Sequence, residues 1–276
     1  MDESISRRAD EATIDVSVII PTYREAENLR VLLPRLESVL SGMQRNHEIL
    51  VVDDRSEDGT DGVVGQMADQ IPVRLIVRTG LRDLSLAVLD GLRAACGRLL
   101  VVMDADLSHP PESIPTLLDA LEGDAADLVI GSRYAAGGRT EDWGGWRQWN
   151  SRVATWLCRP LAGGVRDPMA GFFALRRATF LQGDRLDPIG YKIGLELICR
   201  CPCRNVVEVP ITFRDRAAGC SKLNFEQQRR YLLHLSRLYR DCRPALGLVM
   251  RPLLWAMRGG LAAAQHIRAR RRSEQS

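Results

Sequence analysis

The sequence predicts an α/β protein: a mostly parallel β-sheet covered by helices, followed by a helical C-terminal extension. Two observations carry this prediction. Short apolar, β-branched runs recur through residues 16–130, and segments of helical periodicity separate them. These runs are apolar at almost every position, which is typical of parallel strands buried on both faces. Strand–helix–strand units of this kind connect through right-handed crossovers.

The strands and helices of the first half follow one another at regular intervals. The first run ends at Pro21, where we expect the strand to stop because proline has no N–H for the ladder. In the first helix, leucines recur three or four residues apart and form one apolar face. Strands are predicted over residues 16–20, 48–52, 73–77, 99–103 and 128–130. Helices are predicted over residues 25–40, 58–68 and 84–95.

The pattern changes after Tyr134. Residues 137–145 are glycine-rich and charged, which predicts a loop, and a helix is expected to begin near Arg147. Four tryptophans crowd into residues 143–156; they form either core packing or a lipid-facing edge, since tryptophan favours membrane interfaces. Later strands are predicted over residues 172–175 and 206–213. Later helices are predicted over residues 190–201 and 225–241.

These patterns divide the chain into three parts. Residues 1–14 are predicted to form a flexible tail, 15–223 the α/β domain, and 224–276 an amphipathic helical extension with a basic tail. The 276 residues carry a net charge of only +3, which gives little support to nucleic-acid binding. From residue 241 onwards, however, the sequence contains seven arginines and only two acidic residues. Such a tail either contacts an anionic surface such as lipid headgroups or is simply solvated.

Several classes of protein are disfavoured by what the sequence lacks. No run reaches the ~18 apolar residues of a membrane span, and residues 1–15 do not resemble a signal peptide. We therefore expect a cytosolic protein whose seven cysteines are reduced thiols. The spacing of residues 199–203, C-x-C-x-C, is not that of a zinc site. The absence of G-x-G-x-x-G and of a P-loop motif argues against dinucleotide oxidoreductases and P-loop NTPases.

Acidic side chains follow two of the predicted strands. Asp53 and Asp54 follow the second strand, and Asp104 and Asp106 follow the fourth. In open α/β sheets, ligands bind beyond the carboxyl ends of the strands. A D-x-D pair at such an end directs two carboxylates towards one hard cation, with phosphate oxygens completing its shell. This placement predicts a metal-assisted nucleotide-sugar site.

At this point, the sequence resembles a known family. It contains, in the family's order, VSVIIPTYREAENL, VVDDRSEDGT, MDADLSHPPE, IGSRY, DPMAGFFAL and FRDRAAGCSKL. These motifs resemble those of the dolichol-phosphate (polyprenol-phosphate) mannosyltransferases, inverting enzymes of glycosyltransferase family 2 with the Rossmann-like GT-A fold. The resemblance covers about residues 16–223. The GSRY and R-x-x-G-x-SKL elements are much more specific to the polyprenol-phosphate branch than the others.

The resemblance implies a role for each matching residue. Three residues would line the nucleotide pocket: Pro21, Tyr23 and Glu25. Asp54, with Val52 beside it, would contact the base and the ribose. Asp104 and Asp106, with Ser108 as a further ligand or through a water, would hold Mg²⁺ or Mn²⁺ on the diphosphate. A basic group would contact the phosphates of donor and acceptor: Arg133, Arg147, Arg216 and Lys222. Asp106 and this basic group are the expected catalytic residues.

Three positions depart from the family's commonest pattern. Arg24 stands where asparagine is usual, Asp83 where glycine is frequent, and Ser108 where many members carry glutamine. Two further residues, Lys192 and His109, are unusual apart from the resemblance. Lys192 is, with Lys222, one of two lysines among 38 basic residues, and no role is assigned to it. His109, followed by two prolines, is expected to shape its loop rather than to act as a base.

The implied reaction is transfer of a hexose, most simply mannose from GDP-mannose, to a polyprenyl phosphate at the cytoplasmic face of a membrane. The acceptor is already an anion, which agrees with the lack of an evident Ser–His–Asp or acid/base set. Arginine suits the phosphates because its planar fork binds them bidentately. A different donor such as UDP-glucose remains open. So do a non-catalytic scaffold, a soluble transferase acting on protein or glycan, and docking of the extension on a membrane-anchoring partner subunit.

Overall fold

A computed structural model of the chain describes residues 14–123, 126–140, 145–213 and 225–273. The strands are β1 (Val16–Thr22), β2 (His47–Asp53), β3 (Val73–Val77), β4 (Leu99–Val102), β5 (Leu128–Ser132), β6 (Arg139–Thr140), β7 (Phe173–Arg176), β8 (Val206–Pro210) and β9 (Thr212–Phe213). The helices are α1 (Ala26–Gly42), α2 (Thr60–Met67), α3 (Leu84–Ala94), α4 (Ile114–Gly123), α5 (Gly145–Cys158), α6 (Arg177–Leu181), α7 (Ile193–Arg200), α8 (Phe225–Cys242) and α9 (Pro244–Ser273). A short 3₁₀ turn, Pro111–Ser113, precedes α4.

Seven strands form the main sheet in the order β3-β2-β1-β4-β7-β5-β8. All neighbouring pairs are parallel except those of β7, which runs antiparallel to both β4 and β5. The predicted α/β class with a mostly parallel sheet is therefore confirmed. The reversed direction of β7 brings its first residues to the edge where β4 and β5 end.

The first strand is longer than predicted, because Pro21 lies inside it. β1 pairs with β2 as far as Thr22, but its pairing with β4 ends at Ile19 and Val102. The carbonyl of Ile19 faces β4, since it accepts the Met103 N–H. Pro21, two residues on, faces the same side, where β4 has already ended. Its missing N–H therefore costs no ladder hydrogen bond, and the expectation that proline ends this strand is wrong.

Residues 206–213 were predicted as one strand and form two. β8 lies at an edge of the sheet and ends at Pro210, which pairs in register with Ser132. The chain then leaves the main sheet, and β9 pairs in parallel with β6 in a separate two-stranded sheet. β6 lies within residues 137–145, where the sequence predicted only a loop. β6 carries no local signal, because two residues show no periodicity, and no local pattern marks the break between β8 and β9.

Alternate residues of the strands enter cores on opposite faces of the sheet. Ile19 and Val52 pack on the face covered by α3, α7 and α8. Val18 and Ile20 pack on the other face, against α1 and α4. All six cysteines in the described ranges are free thiols, as predicted; five of them lie in or against the first core.

The C-terminal extension packs tightly on the domain. Helices α8 and α9 contact each other, and a side chain on Gly247 of α9 would lie 2.9 Å from the carbonyl oxygen of Tyr239 on α8. Leu254 of α9 is fully buried. Below α8, the carboxylate of Glu196 on α7 lies 2.7 Å from the imidazole of His234, and both side chains are buried. Of the helices in the described ranges, none combines the length and apolarity needed to cross a bilayer.

Candidate functional site

The carboxyl ends of β1, β2, β4 and β5 and the beginning of β7 meet at one edge of the sheet. Parallel strands bring their ends to the same edge, and β7 starts there because it is antiparallel. The Gly131 N–H at the end of β5 donates to the Phe172 carbonyl just before β7. Residues predicted from distant parts of the sequence are therefore neighbours along this edge.

The two aspartates at the end of β2 have different partners. Asp53 is buried and accepts hydrogen bonds from the Ser56 N–H at 2.7 Å and the Thr22 hydroxyl at 3.2 Å, which fixes the turn. Asp54 forms an ion pair with Arg78 through Oδ1, and its Oδ2 accepts the Asp83 N–H at 3.0 Å. Burial raises the pKa of Asp54 above its usual value, although the ion pair with Arg78 opposes this. Asp54 therefore connects the end of β2 to residues 78–83.

At the end of β1, a tyrosine lies between two arginines. The guanidinium carbons of Arg82 and Arg24 lie 4.2 Å and 5.3 Å from the ring centroid of Tyr23, within cation–π range. Arg24 adopts a left-handed backbone with φ of 61°, and its N–H donates to the Ser56 hydroxyl at 2.7 Å. The unusual residue at position 24 therefore lies against the aromatic ring of the predicted nucleotide pocket.

The other predicted nucleotide contacts are less open. Glu25 accepts a hydrogen bond from the Asn28 side chain at 2.5 Å. Pro21 is buried within β1. The side chain of Val52 is fully buried in the core, so a contact with a nucleotide would have to come from its backbone.

Asp104 and Asp106 lie in a strained turn after β4. The Asp106 Oδ1 accepts the Ser108 N–H at 3.1 Å and the Ser108 hydroxyl at 2.5 Å. Leu107 between them has a φ of 63°, a conformation that a leucine rarely adopts. Strain of this kind concentrates at functional sites. The hydroxyl of Ser108, predicted as a metal ligand, is thus donated to Asp106, and its side chain is buried.

The residues present fit a divalent cation that takes its other ligands from a substrate. In the described ranges, no group of three or more His, Cys, Asp or Glu is arranged to hold a metal by itself. The Asp104 side chain is 27% exposed, and Gly171 leaves space beside it. A Cβ at Gly171 would lie 3.1 Å from the Asp104 Oδ2 and crowd the carboxylate. Two carboxylates, of which Asp104 is partly exposed, suit Mg²⁺ or Mn²⁺ completed by phosphate oxygens.

His109 holds this turn from behind. Its Nδ1 accepts the Asp104 N–H at 3.0 Å, and its ring stacks on Phe172 with centroids 5.3 Å apart. Burial lowers the pKa of His109 below its usual value, so the imidazole is neutral and able to accept this hydrogen bond. The expectation that His109 shapes the loop is confirmed.

Arg133, at the end of β5, is bound by an aspartate to which the sequence assigned no role. Its Nε and Nη2 donate to the two oxygens of Asp167 at 2.8 Å and 2.7 Å, and its backbone N–H donates to the same carboxylate at 3.1 Å. Asp167 is fully buried. Its own N–H donates to Glu208 of β8 at 2.9 Å. The Nε and Nη2 of Arg133 are therefore bound to Asp167, which holds the residue 167–171 loop against Asp104, and the predicted phosphate contact of Arg133 stays a prediction.

Lys192 lies in the same wall of the site. Its ammonium donates to the Met169 carbonyl at 3.1 Å and lies 4.5 Å from the Tyr191 ring centroid. Burial, helped by the nearby positive charge of Arg133, lowers the pKa of Lys192 to about 8. In the sequence, only the rarity of lysine distinguishes Lys192. In the structure, its hydrogen bond to Met169 connects the loop before α7 to the loop that carries Asp167.

The lowered pKa of Lys192 makes the stability of the protein depend on pH. Between about pH 8 and pH 10.5, the unfolded chain binds a proton that the folded chain does not. The free energy of unfolding should therefore rise with pH across this window, by at most ~1.4 kcal/mol per pH unit. We expect Lys192→Met to lose this contribution. Urea unfolding of both proteins isolates it, since all other groups are shared; a wild type-minus-variant difference that stays flat would contradict the prediction.

Three predicted phosphate contacts are not described. Arg147 lies on α5, but its side chain is outside the described part of the structure. Arg216 and Lys222 fall within residues 214–224, which also lie outside the described ranges. Their roles stay predictions.

Comparison with known proteins shows that this chain is similar to glycosyltransferases. The model of the family described as Glycosyl transferase family 2 matches residues 17–182. A dolichol-phosphate mannosyltransferase of Pyrococcus furiosus is 45% identical over 226 residues, covering 81% of this chain and 63% of that protein. The chain thus spans less than two thirds of the archaeal relative's length. A dolichol-phosphate mannosyltransferase of Saccharomyces cerevisiae is 39% identical over 256 residues, covering 89% of this chain and 94% of the yeast protein.

Solved structures share the fold at low identity. Glucosyl-3-phosphoglycerate synthase from Mycobacterium tuberculosis, in complex with Mn²⁺, uridine diphosphate and glucosyl-3-phosphoglycerate, superposes with a TM-score of 0.60. It is 20% identical, with 85% of this chain and 82% of that chain covered. At this identity the likeness concerns the fold.

Proposed function

The chain belongs to glycosyltransferase family 2, among the dolichol-phosphate mannosyltransferases with the GT-A fold, and from this membership we propose that it transfers mannose from GDP-mannose to a polyprenyl phosphate, with inversion at the anomeric carbon. The observation that carries the proposal is the pair Asp104 and Asp106, which lies beyond β4 with Gly171 leaving space beside Asp104. The relatives from Pyrococcus furiosus and Saccharomyces cerevisiae are both named dolichol-phosphate mannosyltransferases.

The donor is proposed to lie across the ends of β1, β2 and β4. Tyr23 and Asp54 lie at the base and ribose. Asp104 and Asp106 would hold Mg²⁺ or Mn²⁺, which would offset negative charge on the departing nucleotide. Lys192 and the Arg133–Asp167 pair keep the loop before β7 in place beside Asp104.

The acceptor phosphate needs positive charge rather than a general base. A monophosphate is already anionic at neutral pH, and neutral His109 serves the turn rather than a proton transfer. Because the fork of Arg133 is bound to Asp167, we assign the direct grip on the acceptor phosphate to Arg147, Arg216 and Lys222. Arginine and lysine here bring two anions together without repulsion.

Donor competition tests the proposal. Purified full-length protein is incubated with Mn²⁺ or Mg²⁺, a polyprenyl phosphate, and GDP-mannose, UDP-glucose or UDP-GlcNAc, each labelled in the sugar. Mannosyl lipid formed only from GDP-mannose is the expected result. Glucosyl lipid would replace the donor assignment with UDP-glucose. Absence of metal-dependent transfer or donor hydrolysis with every donor would point to the scaffold alternative, and labelling of soluble glycans or protein alone would refute the lipid acceptor.

We also propose that the protein docks on the cytoplasmic face of a membrane through the outer face of α9. Three apolar side chains there are largely exposed: Leu248 at 78%, Val249 at 74% and Trp255 at 76%. On α5, Trp156 is 61% exposed, and with Met250 it lines a cavity of about 390 Å³. In the sequence, four arginines follow between residues 268 and 272. An apolar face beside a basic segment suits a helix lying in the headgroup layer.

Removal of the exposed apolar side chains should weaken vesicle binding without disturbing the fold. Deleting residues 244–276 is a poor test, because α9 packs on α8 and buries Leu254. We expect Leu248→Ser combined with Trp255→Ser to reduce binding to phosphatidylglycerol-containing vesicles by about tenfold or more. Salt should weaken wild-type binding by screening the arginines.

A matched control is Val31→Ser combined with Leu181→Ser, which removes two exposed apolar side chains from α1 and α6. It should bind vesicles like the wild type. Sedimentation with vesicles measures all three proteins. Equal vesicle binding by both double variants would contradict the assignment of α9. If the wild type does not bind vesicles that contain no protein, docking on a membrane-anchoring partner subunit is favoured instead.

A further inference from the structure

Asp83 lies at a junction of three segments that are far apart in sequence. It precedes α3, and its Oδ1 accepts the Leu86 N–H at 3.2 Å as a helix N-cap. Its Oδ2 accepts the Gly190 N–H at 2.9 Å and pairs with the guanidinium of Arg230 on α8. The Asp83 side chain is only 1% exposed. One carboxylate therefore joins the start of α3, the loop before α7 and the C-terminal extension.

A helix cap alone does not account for this arrangement. An N-cap needs one acceptor for a backbone N–H, and Ser or Asn provides it without a buried charge. Asp83 brings a negative charge into the interior, and Arg230 reaches it from 147 residues further along the chain. Removing the cation partner of a buried carboxylate leaves an unpaired charge in the interior, which strongly destabilises that arrangement. The conformation of residue 83 thus depends on α8.

The backbone of Asp83 in turn holds Asp54. The Asp83 N–H donates to the Asp54 Oδ2 at 3.0 Å, while Arg78 binds the other oxygen. Arg78 also bonds Asp90 on α3 at 2.7 Å. Arg78 follows β3 directly and its N–H donates to the Asp53 carbonyl at 2.8 Å, so the sheet holds this partner, and Asp83 is the partner of Asp54 that contacts Arg230. A shift of residue 83 would remove a hydrogen bond from the carboxylate that we place at the base and ribose.

We propose that Arg230, acting through Asp83, is a positioning residue for the nucleotide-binding end of β2. The C-terminal extension thereby contributes to donor binding although α8 lies outside the strand ends that form the site. The same contact reaches the Gly190 N–H, two residues before Lys192, so the loop that borders the 167–171 segment is held by the same carboxylate. This inference rests on the proposed function, because it takes a nucleotide to bind at Asp54.

The test compares neighbouring arginines of the same helix. Arg230→Met removes the cation from Asp83, whereas Arg229→Met removes an arginine that pairs with Glu226 at 3.2 Å within α8. Affinity of the full-length proteins is measured for GDP, UDP and ADP, each with Mn²⁺. For the nucleotide that the wild type binds, we expect Arg230→Met to bind about tenfold more weakly, as when a supporting partner of a ligand is lost. Arg229→Met should match the wild type.

Two further readouts separate positioning from general destabilisation. Arg230→Lys keeps a cation within reach of Asp83 and should restore most of the affinity. In transfer assays, Arg230→Met should raise KM for the donor and leave KM for polyprenyl phosphate unchanged, because the acceptor side does not involve Asp54. If Arg230→Met does not fold, Arg230→Gln, which keeps a hydrogen-bond donor without the charge, takes its place, and weaker nucleotide binding by Arg230→Gln is the expected result.

The outcomes are distinct. Nucleotide affinity of Arg230→Met, or of Arg230→Gln where it takes its place, equal to that of the wild type overturns this inference and leaves the proposed function intact. Equal losses for Arg229→Met and Arg230→Met also overturn it, since the effect would then not pass through Asp83. A wild type that binds none of the three nucleotides overturns the proposed function and this inference together.

Discussion

Replacing Asp106 by alanine is expected to reduce sugar transfer by about 10³-fold or more, since a lost metal-stabilised leaving group costs several kcal/mol of barrier. Asp106 is the better buried of the two carboxylates after β4, and its Oδ1 is fixed by the Ser108 N–H and hydroxyl. The preorganised carboxylate is lost, and Asp104 alone cannot hold the cation in the same place. Steady-state transfer with GDP-mannose and a polyprenyl phosphate, titrated with Mn²⁺, measures the effect.

Two controls accompany this variant. Asp119→Ala removes an exposed aspartate from α4 and should leave transfer unchanged. Asp106→Asn keeps an acceptor for the Ser108 N–H, so it should preserve the strained turn at Leu107 while still losing activity. Excess EDTA should abolish transfer by the wild type. Full activity of the wild type in EDTA, or of Asp106→Asn, would refute the metal assignment.

Replacing Arg133 by methionine should lower the free energy of unfolding by about 3–5 kcal/mol, the usual cost of leaving one member of a buried ion pair without its partner. Asp167 is fully buried and takes two of its hydrogen bonds from the Arg133 side chain. Methionine keeps most of the volume but offers no donor. Equilibrium urea unfolding measures the loss, and transfer should fall as well, because the 167–171 loop borders Asp104.

Arg139→Met is the matched control for stability, because Arg139 is exposed on β6. It should change the free energy of unfolding by less than about 0.5 kcal/mol. The combined variant Arg133→Met, Asp167→Leu removes both charges and should be less destabilised than the sum of the single changes, since no buried charge remains unpaired. Additive losses, or a small effect of Arg133→Met alone, would contradict a structural ion pair.

Local patterns predicted most element positions. Residues 73–77 form β3 as predicted, and the leucine face expected over residues 25–40 is that of α1, Ala26–Gly42. The amphipathic segment 225–241 is α8, Phe225–Cys242. These succeed because helical and strand periodicity depend on residues within a few positions of one another. Apolar periodicity also placed the faces correctly, since Leu29, Leu33 and Leu36 are all buried.

The same patterns do not carry strand direction or pairing. The apolar run of β7 reads alike whether it is parallel or antiparallel, and only its position between β4 and β5 decides. Pro21 reads as a strand terminator, but its tolerance depends on where the neighbouring β4 ends. The two residues of β9 become a strand only because β6 lies beside them.

The sequence by itself determined which residue types stand at the strand ends: Asp54 after β2, Asp104 and Asp106 after β4, and Arg133 after β5. Because the strands that carry them are parallel, these residues lie at the same edge of the sheet. Only the tertiary structure decided their partners. Arg133 meets Asp167 because β7 enters antiparallel at that edge, and Asp83, which donates to Asp54, pairs with Arg230 because α8 packs back on the domain. Ion pairs between residues far apart in sequence form where burial brings them together, and no local pattern encodes that distance.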